Sequence, residues 1–293
     1  MSYVRLGKMG EVPGDVTDGL RAESLTLADQ ALQRAPDSVM VRALWALAYQ
    51  HNADPVDIYS HLSEATASAD LPTMIYRGYG EILRRAGHAQ DAMVIFHRLV
   101  SIDPTDATST SRLAWLYAAE GNDRQSERYF DIAEAINPES PEYIARRRQV
   151  ALWFKDGDAL QTLLDEWPVS DSIDTTRSEA CQQAYIRQRL VGALNKADLF
   201  EACGSYNPVW VARMLVGLGD TEGAYTLLAR YNWASNPSYT INLFYPDMAP
   251  FRADPRFWTL VEDIGLVREW TDTGRWPDFC TDERHPGHCP TRS

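Results

Sequence analysis

Residues 73–106, TMIYRGYGEILRRAGHAQDAMVIFHRLVSIDPTD, and residues 107–140, ATSTSRLAWLYAAEGNDRQSERYFDIAEAINPES, are two copies of one pattern laid end to end. Pro104 and Pro138 stand 34 residues apart. The first copy runs Tyr76, Tyr79, Gly80, Leu83, Gly87, Ala92, Phe96 and Leu99, and the second runs Thr110, Leu113, Ala114, Tyr117, Gly121, Ser126, Phe130 and Ala133 at the same offsets. Small residues at Gly80, Ala92, Ala114 and Ser126 permit close approach of two helices, while Phe96 and Phe130 fill the seam between neighbours. Gly87 and Gly121 suit the left-handed end of a first helix, and the prolines stop the second. The pattern therefore predicts two antiparallel helices per copy. Such a pair cannot bury its apolar faces alone, so several must stack.

Working outward, the register weakens in both directions. Residues Val39 to Asp70 keep Trp45, Ala46, Tyr49, Leu62 and Ala65 in place, although the turn Asn52-Ala53-Asp54-Pro55 has no glycine. Leu20 to Ala35 reads as the second helix of an earlier pair, with Ser24, Ala28 and Ala31 on its packing face. Its partner, from Tyr3 to Gly19, is expected to be short or broken because it holds Gly7, Gly10, Pro13, Gly14 and Gly19. Downstream, a helix is predicted from Pro141 to about Phe154, with a return from Leu160 to Trp167; Arg147 and Arg148 fall where Leu and a small residue belong. Residues 169–176 read as a loop or cap before a helix at Arg177 to Leu194. A further pair starts near Pro208 and turns at Gly219-Asp220. From Tyr231 the rhythm stops, and Asn236-Pro237, Tyr245-Pro246 and Ala249-Pro250 read as an extended connector to one amphipathic helix at Pro255 to Trp270. The expected organisation is thus helical repeats over 1–250, a capping helix over 251–270 that closes the apolar end, and an irregular tail over 271–293.

The 34-residue step with these positions resembles the tetratricopeptide repeat, which implies an all-α solenoid of helix-turn-helix units wound as a right-handed superhelix. At the C-terminal end, Asp247-Met248-Ala249-Pro250-Phe251-Arg252-Ala253-Asp254-Pro255-Arg256-Phe257, Ile264-Gly265-Leu266 and Gly274-Arg275-Trp276-Pro277-Asp278-Phe279-Cys280 are similar to the tetratricopeptide portions of bacterial winged-helix transcriptional regulators and adenylate cyclases. Tyr3 to Lys8 and Leu20 to Pro36 resemble the first repeat of the same proteins. The resemblance implies a sensory or protein-interaction module, commonly joined to an effector that binds DNA or makes a cyclic nucleotide; no such effector sequence occurs within this chain.

Composition narrows the classes. With 45% apolar and 24% charged residues the chain is an ordinary folded one, and its 9 Trp and 14 Tyr supply bulk for helix pairs to bury. A formal charge of -13 disfavours nonspecific attraction to nucleic acid or anionic lipid. No apolar run is long enough to span a membrane, and residues 1–10 lack the core of a signal peptide, so the expectation is a cytoplasmic protein, or a periplasmic one if the chain belongs to a membrane-anchored parent. No nucleophile elbow, phosphate loop, zincin helix or dinucleotide fingerprint occurs, and no catalytic residue or cofactor is expected. The carboxylate pairs Asp165-Glu166 and Glu262-Asp263 read as solvated faces. Cys181 and Cys203 read as buried small hydrophobes. Cys280, His285, His288 and Cys289 have zinc-ligand chemistry but an ill-suited spacing; a Cys280 to Cys289 disulfide or an unstructured tail are the other readings.

Function is therefore sought at positions opposite the packing stripe on the first helix of each pair. These are Arg77, Glu81, Arg84 and Arg85 in the first copy, Ser111 and Trp115 in the second, then Gln149, Trp153 and Arg213. Arginine forks pair with carboxylates and tryptophan faces bury apolar groups, so the expected partner is a protein or peptide segment of acidic and apolar character. The plainer reading makes Arg84 and Arg85 a solvated helix end favoured by the helix dipole. The two functional expectations are a noncatalytic scaffold and a regulatory sensor module.

Overall fold

The computed structural model describes residues 14–67, 71–154, 157–165, 173–203, 207–235, 237–280 and 289. All secondary structure among these residues is helical. In chain order the helices are α1 Gly14–Arg34, α2 Val39–Tyr49, α3 Pro55–Ala67, α4 Thr73–Arg85, α5 Ala89–Ile102, α6 Ala107–Ala119, α7 Asp123–Ile136 and α8 Pro141–Phe154. They continue as α9 Gly157–Asp165, α10 Ile173–Val191, α11 Lys196–Cys203, α12 Pro208–Gly217, α13 Thr221–Leu228, α14 Ala249–Arg252, α15 Arg256–Asp263 and α16 Leu266–Thr273. The helix expected from Leu20 begins earlier, so that residues 14–19 of the segment read as short or broken are the first turns of α1, and residues 173–176 of the loop or cap expected over 169–176 belong to α10; residues 3–13 and 169–172 lie outside the described residues.

The chain forms two compact units, one of Met1–Asp103 with Val267–Pro277 and the other of Pro104–Leu266 with Asp278–Ser293. The end of the chain is shared out between them: residues 267–277 join the first unit and the residues after them join the second.

In the first unit, α2 packs on α3 and α4 on α5, and the leading helix of one pair also packs on the leading helix of the next, α2 on α4. The sequence dictates where these helices begin and end. Ser38 Oγ accepts from the Val41 N–H at 3.4 Å at the start of α2. At the end of α4, Gly87 takes φ 84° and the His88 N–H returns to the Leu83 carbonyl at 2.9 Å. Leu47, Leu62, Ile75, Tyr76, Phe96 and Leu99 are completely buried between the helices. Residues 267–277 bring Trp270 into this core, where its indole N–H donates to the Ala86 carbonyl at 2.8 Å.

The second unit repeats the arrangement, with α6 on α7, α6 on α8, α10 on α11 and α12 on α13. Asp106, Asn122 and Asp220 cap α6, α7 and α13 by accepting from the N–H groups of Ser109, Gln125 and Gly223. Two expectations fail here. The connector after Tyr231 is not extended: it folds into 3₁₀ turns at Trp233–Ser235, Pro237–Phe244 and Pro246–Met248, the last two of which start on a proline, where the missing N–H costs no intrahelical hydrogen bond. The single helix expected from Pro255 to Trp270 is two, α15 and α16, because Gly265 adopts φ 88° and ends the first.

Cys181 and Cys203 are buried, as expected, but they are bonded to each other rather than packed as separate small hydrophobes. Cys181 on α10 is bonded to Cys203 on α11, and Cys280 is bonded to Cys289. Among the described residues no helix is long and apolar enough to cross a membrane.

Candidate binding surface

The first-helix positions singled out in the sequence fall into both units. In the first unit, Arg84 on α4 is withdrawn from water and its guanidinium donates to both Glu81 oxygens at 2.8 and 3.1 Å, one helical turn away. Arg85, half-buried, reaches back to α2 and the turn after it: it donates to Gln50 Oε1 and lies 3.0 Å from His51 Nε2. Arg77 is half-buried on the same helix. These arginines are integrated into the first unit, and the reading of Arg84 and Arg85 as a solvated helix end does not describe them.

In the second unit the designated residues converge. Trp115 on α6 donates its indole N–H to Gln149 Oε1 on α8 at 2.8 Å, and Arg146 donates to the same oxygen at 3.2 Å. The rings of Trp115 and Trp153 lie 4.9 Å apart, an aromatic contact that α6 and α8 set up by packing side by side. Ser111, one turn before Trp115, is not part of any open face: it is fully buried and its hydroxyl returns to the Thr108 carbonyl at 2.9 Å.

Trp115 and Trp153 are only 3% and 7% exposed, because the chain itself covers them. Tyr245, between the 3₁₀ turns after α13, places its ring 5.1 Å from Trp115 and 5.4 Å from Trp153. The Arg213 guanidinium on α12 lies 4.7 Å from the same Tyr245 ring and 4.8 Å from Trp210, and its Nε donates to Asp247 Oδ2 at 2.9 Å. Both members of that ion pair are almost wholly withdrawn from water, so removing either would leave the other charge stranded, at about 3–5 kcal/mol. Arg252 fastens the segment from behind by donating to the Leu243 and Tyr245 carbonyls at 2.8 Å each. Burial pulls its guanidinium pKa down to about 10, so it remains charged at neutral pH.

The match is incomplete. Gln149 Nε2, Trp153 Nε1, Arg213 Nη1 and Asp247 Oδ1 are buried with no hydrogen-bond partner among the described residues. Each such group costs about 1–3 kcal/mol. Three of the four are donors. The face thus receives an aromatic ring and a carboxylate, and still has donors left over.

Sequence reasoning missed Tyr245 and Asp247. Their signal was a Tyr-Pro-Asp run in a stretch whose prolines made it read as a spacer, and only the return of the chain onto α6, α8 and α12 reveals its role. No protein-family model matches the chain, and no curated protein matches it either.

Proposed function

We propose that this protein is a noncatalytic helical-repeat scaffold of tetratricopeptide type that binds a protein or peptide segment on the first-helix faces of its second unit. The 34-residue step supports the repeat reading, together with left-handed glycines at the matched positions Gly87 and Gly121 and first helices that pack on one another within each unit. The observation that carries the binding reading is the reception of Tyr245 and Asp247 by Trp115, Trp153 and Arg213. A face that holds one aromatic-acidic segment in this way has the chemistry to hold another.

The bonded cysteines support a reading of the compartment as well. All four cysteines of the chain are paired, and disulfides persist in oxidising compartments, so the scaffold works outside the reducing cytoplasm. Of the two compartments expected from the sequence it favours the periplasmic one.

A displayed library of random peptides, panned on the full chain, tests the function. Recovered sequences should be enriched in an aromatic residue followed closely by Asp or Glu, and their binding should weaken in Arg213→Gln. A library that returns no enriched sequence at all would sink the scaffold reading.

A further inference from the structure

The segment seated on the second unit's first helices has three properties that separate it from ordinary core. It is made of short 3₁₀ turns rather than a long helix; one of them, Pro237–Phe244, runs for eight residues, beyond the length at which 3₁₀ geometry is comfortable. It contributes one aromatic ring and one carboxylate to a surface of aromatic rings and an arginine, which is the composition of a bound peptide rather than of a helix partner. It also leaves Gln149 Nε2, Trp153 Nε1 and Arg213 Nη1 without acceptors among the described residues.

We infer that residues 239–248 are an internal stand-in for a ligand, and that a partner peptide bearing an aromatic residue followed by acidic residues takes their place on α6, α8 and α12. This inference rests on the scaffold reading and adds to it the chemistry of the occupant and the regulation of the face. The incoming aromatic ring replaces Tyr245 between Trp115, Trp153 and Arg213. A carboxylate replaces Asp247 on Arg213, and further acceptors satisfy the donors that the chain's own segment leaves unmet. The partner therefore wins by being richer in carboxylates than the sequence Tyr245-Pro246-Asp247-Met248. Being tethered, the internal segment competes at an effective concentration of roughly millimolar, which keeps the face closed to weak or chance partners. The acceptor count sets the threshold for entry.

The test uses the full chain and a fluorescent synthetic peptide of sequence YTINLFYPDMAP, identical to residues 239–250. Loosening the internal copy with Asp247→Asn leaves the receiving residues intact, so the peptide should bind that variant at least about tenfold tighter than the unaltered chain. A peptide with Asn for its Asp should lose that advantage, a peptide with an added Glu should improve on it, and Asp247→Asn combined with Arg213→Gln should lose binding. Amide hydrogen exchange on the unaltered chain supplies a readout that needs no variant to fold: the amides of 239–248 should exchange by local opening, faster than those of α6. Exchange of 239–248 only through global unfolding, or absence of peptide binding to a folded Asp247→Asn chain, overturns the inference. The two readings fail separately. A library that enriches peptides whose binding Arg213→Gln leaves unchanged, together with no binding in this experiment, would retain a scaffold and remove the stand-in, whereas a library that enriches nothing would remove both.

Discussion

Gly80 shows how finely one residue is set by its neighbour. A Cβ added there would stand 2.7 Å from Phe96 Cε2, and Phe96 is completely buried, so its ring has nowhere to retreat without disturbing the seam between α4 and α5. In the second copy the same position is Ala114. Gly80→Ala gains helix propensity worth roughly 0.5–1 kcal/mol. Overpacking costs about 1–3 kcal/mol. The packing term wins, and the variant should be less stable by about 1 kcal/mol in denaturant unfolding. Gly80→Ala combined with Phe96→Leu should lose less than the two single changes added together, because the smaller side chain frees the space. Additive losses would show that the two residues do not touch in this way.

At the scale of elements, the regular centre was legible because packing there obeys local spacing, and the surrounding elements were not because long-range partners replace it. Arg147 stands where an apolar residue was due, yet α8 keeps its place: the guanidinium lies 4.9 Å from the Phe130 ring and pairs with Glu127 on α7. The first-unit arginines likewise read as a surface until Gln50 and His51 on the neighbouring turn were seen to engage Arg85. The element made by residues 267–277 was read as the end of a cap and a tail, whereas it inserts Trp270 into the first unit, gives Glu269 to the Tyr59 hydroxyl at 2.8 Å and sends Arg275 to Asp91. Glu269 lies about two hundred positions from Tyr59 in sequence, and no periodicity reports that distance.

This element also makes the first unit sensitive to acid. His88 is 2% exposed, its ring 6.2 Å from Tyr59, and burial, reinforced by the Arg275 charge, holds its imidazole down at about 4; Asp91 and the backbone of Trp276 act the other way without cancelling the effect. The folded chain therefore keeps His88 neutral while the unfolded chain protonates it near pH 6.5, so its contribution is complete above pH 6.5 and is lost as the pH falls towards 4. The full loss is about 3–4 kcal/mol. Glu269 works in the opposite sense, since burial raises its carboxyl pKa and the folded state holds its proton to higher pH than the unfolded one. His88→Gln isolates the histidine. Its stability relative to the unaltered chain, measured by denaturant unfolding, should improve steadily as the pH is lowered from 6.5 to 4; a constant difference would mean that His88 is not held neutral.

For the whole molecule, the decisive question is where a chain of net charge -13 with four cysteines can hold this fold. Both disulfides belong to the second unit, the one whose first-helix face receives Tyr245 and Asp247. The Cys181 to Cys203 bond spans 22 residues and joins α10 to α11; in the chain-entropy description a closure of that length stabilises by roughly 3 kcal/mol. The Cys280 to Cys289 bond spans 9 residues next to Phe279, whose ring packs with Phe244, Phe257 and Trp258, so it helps to hold the chain that follows the seated segment. Reduction should therefore act unevenly. Hydrogen exchange with and without dithiothreitol should show protection falling in α10 to α13 and at 237–248, with the helices α2 to α5 little changed. Thiol titration of denatured, unreduced protein taken from its source cell should find no free thiol, and four after reduction. Four free thiols before reduction would place the chain in a reducing compartment and remove the ground for an extracytoplasmic partner, whereas none would confine the search for that partner to proteins outside the cytoplasm.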